Sequence, residues 1–89
     1  MRLYHDVRVV DLSKAREVAV TVDKGIVQIT AVFDSIHFES FITKVENVDD
    51  KVMEQYLLRE VADLWERNMA VELDQLIEIV KRRIESSEK

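Results

Sequence analysis

The sequence predicts an α+β domain. Residues 1–46 read as a three- to four-stranded antiparallel β-meander, and residues 47–86 as one long C-terminal helix or two helices broken near Asn68. Residues 87–89 read as a frayed tail. Three observations carry this. Apolar residues recur with period two in the first half, which is the spacing of a half-buried strand. They recur with a helical period after Val48. The only glycine, Gly25, falls between two alternating runs, where a tight turn belongs.

Residues 2–12 alternate imperfectly. Leu3, Val7 and Val9 fall on one side, and Tyr4, Val10 and Leu12 on the other. The stretch is read as a strand that adds to the meander. Asp11 to Arg16 breaks the pattern and suits a loop or a single turn capped by Asp11 or Ser13. Val18, Val20 and Val22 then share a face, with Ala19, Thr21 and Asp23 opposite. Asp23-Lys24-Gly25 follows and predicts a three-residue hairpin with Gly25 left-handed. Beyond it, Val27, Ile29, Ala31 and Phe33 oppose Ile26, Gln28, Thr30 and Val32. A tight turn at Asp34-Ser35 leads into a strand over 36–46, which places Ile36, Phe38, Ser40 and Ile42 on one face.

Asn47 is the expected N-cap of the helical segment, with Asp49 and Asp50 at the positive end of the helix dipole. An unbroken helix to Ser86 would extend roughly 55–60 Å. A ten-residue strand reaches only about 33 Å, so one small sheet cannot cover it. The apolar stripe shows the same mismatch. Met53, Leu57, Val61, Leu64 and Trp65 form one stripe. Met69, Leu73, Leu76, Ile77, Val80 and Ile84 form another, rotated by roughly 140° on the wheel. Either the chain bends near Arg67-Asn68-Met69, with Asn68 as a left-handed cap, or the helix is continuous and its second half packs on another subunit. The absence of Gly and Pro from residues 66–71 favours the continuous helix.

Composition bounds the function. The chain has 89 residues, which suits a single domain, and it is 47% hydrophobic and 35% charged. The charges are unevenly placed: residues 1–47 carry 6 basic and 7 acidic side chains, and 48–89 carry 7 and 11, for a net −5. Mild acidity disfavours phosphate-backbone binding. No apolar run reaches the ~20 residues of a membrane span. Residues 1–6 lack the apolar core of a signal peptide, so a cytoplasmic protein without membrane contact is expected. There are no cysteines, which excludes disulfides, cysteine-ligated zinc and thiol catalysis. Abundant Glu, Lys, Arg, Val and Ile with few Asn and Gln follow the thermophile trend.

Candidate chemistry is sparse. His5 and His37, with Asp6, Asp34 and Glu39, could hold a metal for a small hydrolase, but the spacing matches no ligand pattern. Ser13, Ser35 and Ser40 lack a nucleophile-elbow context. Lys81, Arg82 and Arg83 are explained by the helix dipole and by pairs such as Glu78–Arg82 and Lys81–Glu85. Arg2, Tyr4, Arg8, Phe38 and Phe41 offer an alternative: a sheet surface on which single-stranded nucleic acid stacks. No cofactor is expected. A domain this small gains from assembly. The expectation is therefore a non-enzymatic interaction or regulatory module that forms a homodimer or higher homo-oligomer through Trp65, Met69, Leu73, Leu76, Ile77, Val80 and Ile84, with a further protein partner open to it.

Overall fold

The computed structural model describes residues 9–87. The element order is β1 (Val9–Asp11), β2 (Glu17–Asp23), β3 (Ile26–Val32), β4 (Phe38–Lys44), α1 (Asp50–Arg67), β5 (Ala70–Glu72) and α2 (Leu73–Ser87). The α+β class and the antiparallel meander are as the sequence predicts, with strand order β2-β3-β4. The described part of the expected first strand, Val9–Asp11, is not part of it. β1 pairs instead with β5, Val10 opposite Val71, in a separate two-stranded ribbon. Residues 2–8 of the expected strand lie outside the described residues.

The turns are set by backbone chemistry. β2 and β3 join through a two-residue turn rather than the expected three, because Lys24 (φ 52°) and Gly25 (φ 79°) are both left-handed. This is the hairpin turn whose twist matches the strands it joins. Asp50, at the start of α1, clamps it: its carboxylate accepts the Lys24 N–H at 2.7 Å and the Gly25 N–H at 3.0 Å. The β3–β4 connection is longer than the expected Asp34-Ser35 turn. It occupies Phe33 to His37, where the Asp34 carboxylate accepts the Ile36 N–H and the His37 carbonyl accepts the Phe33 N–H. Ile36 is therefore a loop residue, 90% exposed, and not the first residue of a strand. Between β1 and β2, Asp11 caps a single turn by accepting the Ser13 N–H, which also holds its carboxyl below the usual carboxylate value.

The helical segment is broken, which overturns the preference for a continuous helix. Asn68 adopts φ 56°, ψ 40° and closes α1: its N–H donates to Trp65 and the Met69 N–H donates to Leu64. This is the Schellman arrangement, which Asn supports without a glycine. The chain then extends through β5 and starts α2 directly at Leu73. The reversal cancels the offset between the two stripes. Met53, Leu57, Val61 and Leu64 of α1 and Leu73, Leu76, Ile77, Val80 and Ile84 of α2 join one buried cluster. Val20, Val22, Val27, Ile29, Ala31, Phe41 and Val45 supply its sheet side, and Val10 and Leu12 close one end. Arg83 of α2 reaches Glu60 of α1 at 2.9 Å and links the helices, an exposed guanidinium on a largely covered carboxylate. It lies one turn before the end of α2, so an interhelical link, rather than the dipole alone, accounts for it.

The start of α1 also differs from expectation. Asn47 is left-handed (φ 60°) and sits in the loop. The N-cap is Asp49, whose carboxylate accepts the Lys51 and Val52 N–H groups. Glu54, one turn on, accepts the Val22 N–H at 2.9 Å and ties α1 to β2. Because an L-residue in the left-handed region costs roughly 1–2 kcal/mol, Asn68→Val should lower stability by about that much. Asn68→Gly should hold or raise it. Urea midpoints of the two variants check the pair.

Candidate interaction surface

The residues expected to form a dimer interface divide on the structure. Leu73, Leu76, Ile77, Val80 and Ile84 are buried in the domain's own core, at 7% exposure or less. Trp65 is half-buried and donates its indole N–H to the Ala15 carbonyl at 3.1 Å, so it holds α1 against the β1–β2 loop. Met69 alone of the seven is exposed. The apolar stripe of α2 is thus satisfied within one chain, and the physical reason is the reversal at Asn68.

Among the described residues, the other side of the meander carries no helix. Odd residues of β2 (Ala19, Thr21, Asp23), even residues of β3 (Ile26, Gln28, Thr30, Val32) and even residues of β4 (Phe38, Ser40, Ile42, Lys44) face away from the helices. The pairing orders them in rows across the sheet: Glu17–Val32–Phe38, Ala19–Thr30–Ser40, Thr21–Gln28–Ile42 and Asp23–Ile26–Lys44. Ile26, Phe38 and Ile42 are 42%, 66% and 53% exposed. The two middle rows hold no charged residue. Charge is confined to the corners, acidic at both ends of β2 and basic at one end of β4. Thr30 and Ser40 hydroxyls meet across the strands at 3.3 Å, so the polar groups in the middle are partly satisfied by each other. A solvated sheet face is usually polar throughout. This one sets Ile26, Phe38 and Ile42 among its polar residues, and sequence alternation alone could not tell which of two apolar-containing faces the helices would cover.

The other candidates fall apart or stay shallow. His37 stacks on Phe33, with ring centroids 4.9 Å apart, and its Nε2 lies 3.5 Å from Glu39 Oε2. The three residues edge an open depression with Asp11, Lys14 and Asp34. His5 and Asp6 lie outside the described residues. Among the described residues, no three His, Cys, Asp or Glu side chains are grouped to hold a metal ion. A second groove runs between the β4–α1 loop and α2, lined by Glu46, Asp49, Lys81 and Glu85. The N–H groups there are already held by Asp49, and carboxylates outnumber the one cation.

Two residues of the expected nucleic-acid surface are described. Phe38 points outward and Phe41 inward, at 8% exposure, so the two aromatics lie on opposite faces of the sheet. Arg2, Tyr4 and Arg8 lie outside the described residues. Among the described residues, no helix is long and apolar enough to cross a membrane.

The described residues define a small α+β domain with its helices on one face of a meander and, on the other, a partly apolar face charged only at its corners. No family model, no curated protein and no solved structure matches the chain.

Proposed function

We propose that this protein is a non-enzymatic interaction module that self-associates through the open face of the β2-β3-β4 sheet. The observation that supports the reading is the composition of that face: Ile26, Phe38 and Ile42 stand exposed on it, its two middle rows hold no charge, and its charged residues sit at the corners. Depletion of charge with enrichment of aromatic and aliphatic groups is the signature of the centre of a protein interface. Burying these side chains on a second copy removes apolar area from water at roughly 25 cal/mol per Å² and leaves no unpaired charge in the middle of the contact.

The size of the face sets the strength. Three strands about 4.8 Å apart and seven residues long cover roughly 14 by 24 Å. That is below the ~800 Å² per partner of a standard stable interface, so association is weak and concentration-dependent.

Sedimentation velocity from micromolar to millimolar concentration tests this. The wild-type chain should shift from monomer toward dimer. Phe38→Asp and Ile42→Asp should each hold it monomeric, with far-UV circular dichroism and melting temperature little changed, because both side chains are exposed in the monomer. A wild-type protein that stays monomeric throughout would overturn the reading.

A further inference from the structure

We infer that the dimer is a face-to-face pair of sheets whose two-fold axis runs along β3, so that β2 of each copy lies over β4 of the other and Asp23 of each meets Lys44 of its partner. The inference rests on the self-association just proposed and specifies its geometry. Two independent features of the face select this axis.

The first is charge. A symmetric pair of stacked sheets has two simple choices of axis. With the axis along the strands, the row Asp23–Ile26–Lys44 falls on its own copy in reverse order. Asp23 then faces Lys44, twice per dimer. With the axis across the strands, β2 lies over β2 with its ends exchanged, and Asp23 faces Glu17. The first choice places opposite charges together at the rim. The second places like charges together, which disfavours it.

The second is size. The outward side chains at the middle of β2 are small, Ala19 and Thr21. The outward apolar side chains of β4 are large, Phe38 and Ile42. Packed sheets sit about 10 Å apart with their facing side chains interdigitated. With the axis along β3, Ile42 lies over Thr21 and Ser40 over Ala19, so large meets small in the two middle rows, while in the end row Phe38 lies over Glu17. With the axis across the strands, Ala19 lies over Thr21 and the β2 side of the interface is left under-filled. The rim charges therefore select the axis along β3, and the filling at β2 agrees with it. On it, each outward residue of β3 (Ile26, Gln28, Thr30 and Val32) faces its own copy.

A charge-swap series read by sedimentation equilibrium tests the geometry. Asp23→Lys and Lys44→Asp should each weaken dimerisation about tenfold, since each turns two rim attractions into two repulsions. The double variant should return to within a factor of about two of wild type. Circular dichroism of each variant controls for folding. As a second measurement, the chain has no cysteine, so Ile26→Cys offers one thiol near the axis. A short bis-maleimide reagent should join two copies through it, and much less through Thr21→Cys, which faces Ile42 of the other copy. If the double variant binds no better than the single ones, and Thr21→Cys couples to itself more readily than Ile26→Cys, the axis is wrong. Loss of association in Ile42→Asp would in that case still uphold the sheet face as the interface. A wild-type chain that never dimerises removes both proposals.

Discussion

Leu76→Glu is expected to unfold the monomer rather than separate an intact dimer. Leu76 is fully buried, on the α2 face that joins α1 and the sheet in the core. Removing a buried leucine side chain costs about 2–5 kcal/mol. Placing an unpaired carboxylate there adds several more, or forces it to take up a proton. A domain of this length has roughly 4–13 kcal/mol of total stability, so the change uses most or all of it. Ile79→Glu is the matched control. It sits less than one turn away on the outward side of α2, 37% exposed, and should cost well under 1 kcal/mol. Far-UV circular dichroism separates the outcomes. A folded, monomeric Leu76→Glu variant would mean that the α2 stripe is an intermolecular surface and that the chain does not bury it in a single core of its own.

Gly25→Ala carries the second largest effect, and it acts through backbone geometry alone. Gly25 has φ +79°, and a Cβ built there would lie 2.7 Å from the Val45 carbonyl oxygen. That oxygen cannot retreat freely, because the Val45 N–H is held by the Gly25 carbonyl at 2.7 Å. An alanine must open the end of the β3–β4 pairing or abandon the turn. With the left-handed penalty of roughly 1–2 kcal/mol and the steric term, a loss of about 2–4 kcal/mol is expected. The neighbouring Lys24 is also left-handed (φ 52°), so Lys24→Gly should act in the opposite direction and stabilise by up to about 1 kcal/mol. Chemical denaturation of both variants reads the contrast. Equal and small effects would mean that the turn is not held in this conformation.

Much of the architecture is legible in the residues because it depends on local pattern. Valines at 18, 20 and 22 can bury one face only as a strand, and Met53, Leu57, Val61 and Leu64 share a side only as a helix. The rotated second stripe and the left-handed tolerance of Asn68 together mark the bend. The lack of Gly and Pro over residues 66–71 does not keep the helix straight, because asparagine supplies the same closure through its tolerance of positive φ. Other features are invisible locally. β5 is three residues long and exists because residues 9–11 are there to pair with it. The role of Asp50 depends on a hairpin 25 residues away. Nor does the sequence show which face of the meander the helices cover. Both faces carry Val, Ile or Phe, and only packing decides that Phe41 is core while Phe38 and Ile42 are surface.

The most direct test of the central claim is a backbone amide NMR titration of the protein against its own concentration. If association uses the open sheet face, the signals of Thr21, Gln28, Thr30, Ser40 and Ile42 shift progressively from micromolar to millimolar concentration, while those of Leu73, Leu76 and Val80 in α2 stay in place. Shifts confined to α2, or no shift anywhere on the sheet, would contradict it.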